Sequence, residues 1–317
     1  MLRNKVFNFS GNLKKFLIIS GAIIIVGIIL TAVLGPVLDI SFGGGTRITY
    51  SYTGEINTDS VASVAADTIG KKVSVTTTSG VSDNSQKLVI SLSDRESLNT
   101  ELIDELDSVL TSDEQFADNA LVQAEINSVN PTVGAVFFAK CLIAVVIAAV
   151  LVVIYVAIRF RKIGGWLAGT AAMLALVHDI LIAFFVTVIF RLNIDSNFVA
   201  VVMTLLGYSL NSTIVVFDRI RENRRTYGNS QTLDETLNLS NSQVLSRNIM
   251  TSLSTFIAIF VVLIVCELKG ITSLRSLTVP LCFGILSGAY SSICLAPAIW
   301  VKWKKASDAR KKAKSKK

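Results

Sequence analysis

Residues 16–38 read FLIISGAIIIVGIILTAVLGPVL and contain no charged side chain. A helix needs about 20 apolar residues, within a range of about 17–25, to cross the hydrocarbon core of a bilayer. Five further stretches of the chain meet this requirement, so the sequence predicts six membrane-spanning helices. The six stretches are residues 16–38, 133–158, 166–190, 198–217, 249–266 and 277–301.

The composition of the whole chain also indicates a polytopic membrane protein. Of the 317 residues, 51% are hydrophobic and 17% are charged, and the mean hydropathy is +0.59. A soluble domain carries about 25% charged residues, which excludes an ordinary soluble enzyme, a disordered tail and a disulfide scaffold. The first apolar stretch is too long for a signal peptide and lacks a small-residue cleavage site, so we expect a retained span.

Charged residues are distributed unevenly along the chain. Residues 39–132 contain 15 acidic and 5 basic side chains, whereas the remainder contains 8 acidic and 25 basic ones. Because lysine and arginine favour cytoplasmic flanks, we expect both termini in the cytoplasm and residues 39–132 on the exterior. This topology explains the net charge of +7 without nucleic-acid binding. The basic tail either contacts anionic lipid or ribosomal RNA, or is a solvated end.

Residues 39–132 predict a small α+β domain of the ferredoxin-like type. Segments rich in β-branched residues alternate with segments of helical periodicity in the order β-α-β-β-α-β, as in a split βαβ sandwich. The predicted strands are residues 47–52, 72–77, 87–92 and 121–126, the helices 56–69 and 96–110, and the hairpin turn 80–86. The domain contains no Cys, no His and no phosphate loop, so we expect a spacer or a binding surface.

The chain thus divides into four parts. They are the N-terminus with the first span (residues 1–38), the exterior domain (39–132), five further spans (133–301) and the basic tail (302–317).

The sequence indicates neither an enzyme active site nor a metal centre. All four cysteines lie in or beside apolar stretches, and none forms a Cys-x-x-Cys pair, so we expect small packing residues. The cysteines are Cys141, Cys266, Cys282 and Cys294. His178 is the only histidine, which leaves little for a multi-histidine site or a hydrolase triad. We therefore expect no cofactor, no metal and no enzymatic activity.

Polar residues inside the predicted spans are the candidate functional residues. Asp179 follows His178 in the third span, where a charged side chain costs about 2.5–3.5 kcal/mol on insertion scales. The fourth span contains GYSLNST at residues 207–213, which indicates either polar contacts between helices or an ion pathway.

Arg247 lies where the fifth apolar stretch begins. If the span starts at Ile249, Arg247 reaches back to the interface; if the helix starts earlier, Arg247 enters the bundle and pairs with the fourth span. Residues 232–235, TLDE, predict a capping box and a helix from near Leu233. We expect this helix to lie along the interface before the chain turns into the membrane.

Several short motifs occur together in the order and spacing of one protein family. They are DISFGGGT at 39–46, VNPTVG at 129–134, IRF at 158–160, HD at 178–179, GYSLNSTIVVFDRIREN at 207–223, LSR at 245–247 and YSSI at 290–293. Along nearly its whole length, the chain resembles the SecF proteins of the SecD/SecF family in the resistance-nodulation-division (RND) superfamily.

This resemblance implies a subunit of the Sec protein-export machinery in the bacterial cytoplasmic membrane. Its six spans would pair with six from a SecD-type partner, next to the SecYEG channel, and use the proton gradient to draw unfolded polypeptides outward. The alternative is a stand-alone RND-type permease for a small or lipidic substrate. The motif at residues 207–223 and the small exterior domain favour the export subunit.

One position departs from the family pattern. Where SecF proteins commonly carry an Asp, the expected proton carrier, this chain has Ser212, which cannot titrate near neutral pH; the arginine at position 247 is retained. Three hypotheses remain. The proton route uses Asp179 or a carboxylate of the partner, or sodium binds to oxygens of Asn211, Ser212 and Thr213, or coupling is lost and the chain is a scaffold.

The glycines of the first motif, Gly43, Gly44 and Gly45, predict a flexible joint between the first span and the exterior domain. An anion-binding nest is the alternative.

Overall fold

Six long helices form the membrane part of the fold. The computed structural model describes residues 6–71, 73–79, 86–92, 99–228 and 230–314. Within these ranges, six helices are long and apolar enough to cross a membrane, which confirms the prediction of a multi-pass protein. They are α1 (Leu13–Leu34), α5 (Pro131–Arg159), α6 (Gly165–Ile189), α7 (Ser196–Tyr227), α8 (Leu233–Leu268) and a sixth span comprising α9 (Arg275–Tyr290), a π-helical turn (Ser291–Leu295) and α10 (Ala296–Lys314).

Helices α7 and α8 are longer than the apolar stretches that predicted them. They contain 32 and 36 residues, and at about 1.5 Å per residue both exceed the hydrocarbon core of about 30 Å. The capping box of Thr232 and Glu235 starts α8 as predicted. A single helix runs from Leu233 to Leu268, so no break separates the segment before Ile249, which we expected to lie along the interface, from the span. No glycine or proline interrupts residues 233–268, so the helix continues directly into the span.

Helix α6 lies at the centre of the bundle and contacts α1, α5, α7, α9 and α10. Small residues allow these close approaches. A Cβ atom on Gly165 would lie 2.0 Å from the carbonyl oxygen of Ala157 in α5, and one on Gly27 of α1 would lie 2.2 Å from the ring of Phe185. The middle of α6, which carries Asp179, is therefore enclosed by other helices.

Between α1 and α5 the chain forms a four-stranded antiparallel sheet with two longer helices. The elements are β1 (Val37–Leu38), α2 (Ile40–Gly43), β2 (Gly45–Tyr52), α3 (Thr58–Ile69), β3 (Ser74–Ser79), β4 (Gln86–Leu92), α4 (Thr100–Ser112) and β5 (Val122–Val129). The strand order is β3-β4-β2-β5. Tyr50, Val61, Leu88 and Leu106 are completely buried in the shared core.

Several predicted boundaries in this unit shift by a few residues. Strand β3 starts at Ser74 rather than at residue 72, and β5 continues to Val129 rather than ending at residue 126. Residues 80–85 of the predicted hairpin turn and residues 96–98 of the predicted second helix lie outside the described residues.

The three glycines occupy a packed turn. Gly43 ends α2, and Gly44 and Gly45 have φ values of +79° and +129°. A Cβ atom on Gly44 would lie 2.5 Å from the Cα atom of Pro131, the first residue of α5. Glycine is therefore required by the backbone conformation and by the close approach of α5, and the flexible joint stays a prediction.

A short parallel pairing connects the end of α1 to the loop between α6 and α7. Strand β1 pairs with β6 (Asn193–Ile194), and the backbone N–H of Asp39 donates to the carbonyl oxygen of Ile194 at 3.1 Å. The carboxylate of Asp39 accepts from the backbone N–H of Ser41 and forms an ion pair with Arg47. The start of the sheet unit is thus held against the bundle.

Candidate functional site

The carboxylate of Asp179 is completely buried at the centre of the helical bundle. It lies in the middle of α6, whose other residues near this position are mainly Ala, Leu, Val and Ile. A charge at this depth costs about 2.5–3.5 kcal/mol on insertion scales, so its stability depends on polar neighbours from the surrounding helices.

Three serine hydroxyls donate hydrogen bonds to Asp179. Ser209 on α7 and Ser291 in the π-helical turn each reach Oδ2 at 2.7 Å, and Ser287 on α9 reaches Oδ1 at 2.6 Å. Hydrogen bonds to a charged group contribute about 1.5–3 kcal/mol each, so three of them offset the cost of burial. The cluster forms only when α6, α7 and the sixth span pack together.

The sixth span presents two of these hydroxyls on one side. Ser287 and Ser291 are four residues apart, about one helical turn, so they lie on the same face. The π-helical turn starts at Ser291, and such turns are frequent at functional sites. One turn earlier, a Cβ atom on Gly284 would lie 2.5 Å from the side chain of Leu205. Glycine therefore allows α9 to approach α7 closely at this point.

His178 extends the polar cluster towards α1. Its Nδ1 atom lies 3.2 Å from Oδ1 of Asp179 and 3.3 Å from the hydroxyl of Ser287. Its Nε2 atom is buried and has no hydrogen-bond partner in the described part of the chain. The imidazole lies 6.1 Å from the ring centre of Tyr290, whose hydroxyl donates to the carbonyl oxygen of Phe16 at 3.0 Å. Polar groups thus run from α1 to the carboxylate.

The predicted polar stripe on α7 divides between two faces. Ser212 and Thr213 are buried, and the Thr213 hydroxyl donates to the backbone oxygen of Ser209 at 3.0 Å. Asn211, in contrast, is exposed. The three oxygens proposed for sodium therefore do not converge, because neighbouring positions of a helix point about 100° apart.

Arg247 lies within α8, as expected for a helix that begins well before Ile249, but its side chain does not enter the bundle. It is exposed, and no ion pair or hydrogen bond of this side chain occurs among residues 6–71, 73–79, 86–92, 99–228 and 230–314. The expected pairing of Arg247 with a polar group of α7 is therefore absent from this part of the chain.

Sequence reasoning identified Asp179 and His178 but missed the three serine donors. Ser209 and Ser291 occur within the quoted motifs, and Ser287 occurs in none. The available signal was the spacing of Ser287 and Ser291 by one turn in an apolar span that also carries a glycine between them. That pattern does not reveal which helix the two serines face, because their partner is determined by the packing of three spans.

A second polar group lies where α7 begins, outside the spans. The carboxylate of Asp195 caps α7 by accepting from the backbone N–H of Phe198 at 3.1 Å, and it also accepts from the hydroxyl of Ser276 at 3.0 Å. Burial raises the pKa of Asp195, and the nearby charge of Asp39 adds to this effect. Asp195 therefore holds a proton more readily than an exposed aspartate.

Comparisons with known proteins identify close relatives of the whole chain. The family described as "Protein export membrane protein SecD/SecF, C-terminal" matches residues 109–306. Protein translocase subunit SecF of Alicyclobacillus acidocaldarius is 34% identical over 296 residues, which cover 92% of this chain and 91% of that protein. These matches confirm the resemblance found from the motifs.

Longer relatives match over a part of their length. Protein translocase subunit SecDF of Bacillus subtilis is 31% identical over 94% of this chain and 38% of that protein. The crystal structure of SecDF from Thermus thermophilus, described as a translocon-associated membrane protein, superimposes with a TM-score of 0.78 and 27% identity. The match covers 96% of this chain and 40% of that one. The chain therefore spans about two fifths of the SecDF chains.

Proposed function

The chain belongs to the SecD/SecF family of protein export membrane proteins, and on that premise we propose that it assists Sec-dependent export of unfolded polypeptides across the bacterial cytoplasmic membrane. The observation that carries this proposal is the match to SecF proteins along almost the whole chain. In SecDF chains, a region similar to this chain makes up about 40% of the length. A separate SecD-type subunit supplies the remainder, and the pair works beside the SecYEG channel.

The outward-facing polar residues of the bundle support a SecD-type partner. Asn211 is exposed on α7, and Arg247 is exposed on α8 beside its apolar part. Polar and charged side chains of spans almost always face other helices or a water-filled cavity. A second six-span chain against this face provides such surroundings, as in transporters built from two repeats.

The buried carboxylate of Asp179 supports coupling to an ion gradient. Ser212 cannot carry a proton, whereas Asp179 is buried, held by three hydroxyls and next to His178. Such intramembrane carboxylates mark proton relays in pumps and transporters. Asp179 acts as the proton carrier, and the serines reorient their hydroxyls when the carboxylate gains or loses its proton.

The unit between α1 and α5 is a ferredoxin-like sandwich on the exterior side. The strand order β3-β4-β2-β5 and the two helices α3 and α4 support this fold. The excess of acidic residues in 39–132, together with the basic clusters elsewhere, supports the exterior position and cytoplasmic termini.

Export into inverted membrane vesicles tests the function. Vesicles containing the SecD-type partner, SecYEG and this chain should export a polypeptide faster under a proton gradient than vesicles without this chain. The Asp179→Asn variant should lose the gradient-dependent part, while the control Asp67→Asn, an exposed residue of α3, should retain it.

The possible results separate the two parts of the proposal. If omission of the chain leaves export unchanged, the export role is refuted. If omission slows export but Asp179→Asn retains the full gradient response, the export role stands and the proton route through Asp179 is refuted. Purification of the chain with only further copies of itself would instead favour a stand-alone permease.

A further inference from the structure

A basic cleft lies at the end of the helical bundle opposite the sheet unit. Its cavity has a volume of about 1300 Å³. Its walls are the end of α5, the following turn at Arg161–Ile163, the last turns of α7, the start of α8 and the middle of α10. We name it the α5–α7–α10 cleft. It is independent of the Asp179 cluster and of the proposed export function.

The lining of this cleft has an excess of positive charge. It contains seven basic and three acidic side chains, a balance of +4. The acidic ones are already paired: Asp218 with Arg159 and Arg221, Glu222 with Arg219, and Asp308 with Lys304. Any further anion in the cleft therefore meets cations and few competing carboxylates.

Three of the basic side chains remain available for a ligand. Arg161, Lys162 and Arg225 are exposed, and none has an ion pair with a carboxylate in the described part of the chain. Arginine presents several N–H donors in a planar fork, which suits the oxygens of a phosphate group. These three exposed cations thus favour a ligand that carries a phosphate or phosphodiester group.

Trp300 lines the cleft and belongs to a cluster of aromatic rings beneath it. Phe160, Phe217 and Trp300 pack against one another, with ring centres 5.7 and 5.9 Å apart. Trp300 lines the cavity and is 1% exposed, and its indole Nε1–H has no acceptor among the described residues. Because this nitrogen is itself buried, a ligand in the cleft meets the exposed basic side chains and not the indole donor.

The position of the cleft matches the depth of lipid headgroups. Tyr155 and Trp166 lie on either side of the α5–α6 turn and are 50% and 69% exposed, and exposed Tyr and Trp typically mark the membrane–water interface. Leu151, Tyr155 and Ile158 form an exposed apolar stripe on α5 that leads to the cleft, of which Ile158 is part. An acyl chain can follow this stripe while its headgroup occupies the cleft.

From these observations we propose that the α5–α7–α10 cleft binds the phosphodiester headgroup of an anionic phospholipid. Arg161, Lys162 and Arg225 contact the phosphate oxygens. Basic pockets between membrane helices are a known type of site for anionic lipids.

Native mass spectrometry of the full chain in detergent, titrated with phosphatidylglycerol or phosphatidylcholine, tests the proposal. We expect selective binding of phosphatidylglycerol. The triple variant Arg161→Gln, Lys162→Gln, Arg225→Gln changes only exposed side chains without ion pairs. Each cation near the headgroup contributes about five-fold in affinity, so the variant should bind at least about ten-fold more weakly. Its thermal unfolding should match that of the unaltered chain.

A variant of the tail provides the matched control. Lys311→Gln, Lys312→Gln, Lys314→Gln removes the same charge from the end of α10 and should bind phosphatidylglycerol within two-fold of the unaltered chain. Equal binding of phosphatidylcholine would overturn the proposal, as would loss of binding in the tail variant alone. Saturating inorganic phosphate that displaces the lipid completely would show a site for free phosphate instead. Unchanged lipid binding by the cleft variant, with loss of a co-purifying protein, would show a protein docking surface.

Discussion

The hydroxyl of Ser291 should stabilise the bundle through its hydrogen bond to the carboxylate of Asp179. Ser291 is completely buried, and its hydroxyl lies 2.7 Å from Oδ2 of Asp179. A hydrogen bond to a charged group contributes about 1.5–3 kcal/mol, whereas hydrogen bonds between membrane helices average about 0.6 kcal/mol. Because water cannot replace the lost hydroxyl at this depth, we expect Ser291→Ala to lower the free energy of unfolding by about 1–2 kcal/mol.

A double-mutant cycle with Asp179→Asn separates this interaction from general packing. In the Asp179→Asn background, Ser291→Ala should cost less, and the difference is the interaction energy, about 1 kcal/mol or more. Reversible unfolding in mixed micelles, followed by circular dichroism, gives the four free energies.

The neighbouring serine is the matched control. Ser292 is also completely buried, but its hydroxyl donates to the backbone oxygen of Ala289 at 3.3 Å and does not contact Asp179. Ser292→Ala should show no interaction with Asp179→Asn. If the effects of Ser291→Ala and Asp179→Asn on the free energy of unfolding are strictly additive, the hydroxyl of Ser291 does not stabilise the carboxylate of Asp179.

Two further predictions concern the helix ends that lie next to the sheet unit. Gly44→Ala should lower the thermal unfolding temperature and the rate of export, because the new Cβ atom would lie 2.5 Å from the Cα atom of Pro131. Gly70→Ala is the control, since Gly70 also has a positive φ of +69° but has open space around it. This control should cost only about 1–2 kcal/mol of stability, for the backbone conformation alone. Equal losses for both would show that the approach to α5 is unimportant. Asp195→Asn should stabilise the protein at neutral pH, because burial raises the pKa of Asp195 above its usual 3.8. The stability contributed by the protonated Asp195 carboxyl is therefore present in full below pH 3.8. It is lost as the pH rises through the pKa of Asp195 in the folded protein. Thermal unfolding at several pH values checks this, and an advantage of the variant that persists below pH 3.8 would contradict it.

The length of the apolar stretches predicted the membrane part because this signal acts locally. A bilayer requires about 20 consecutive apolar residues wherever a helix crosses it, so each of the six spans could be predicted separately. Helix α8 was predicted only in part, since hydropathy marks the buried section of a helix and not its continuation into water. The capping box at Thr232 and Glu235 marks the true start of the helix, and the lack of any glycine or proline after it allows the helix to continue to Leu268.

The candidate site depended on packing that no local pattern encodes. Asp179 was recognisable because a carboxylate in an apolar span is rare. Its donors come from α7, α9 and the π-helical turn, and their convergence follows from the crossing of three helices. Asn211 and Ser212 show the same limit: they are neighbours in the sequence, yet one is exposed and the other is buried.

The sheet unit has both of its chain connections at one spot. Strand β2 starts at Gly45 opposite Val129 near the end of β5, and Gly44 lies against Pro131. The opposite edge of the unit is also held, because strand β3 contacts the turn Thr272–Leu274 between α8 and α9. These two attachments lie about three strand spacings, or about 14 Å, apart, so any movement of the unit relative to the bundle requires one of them to break.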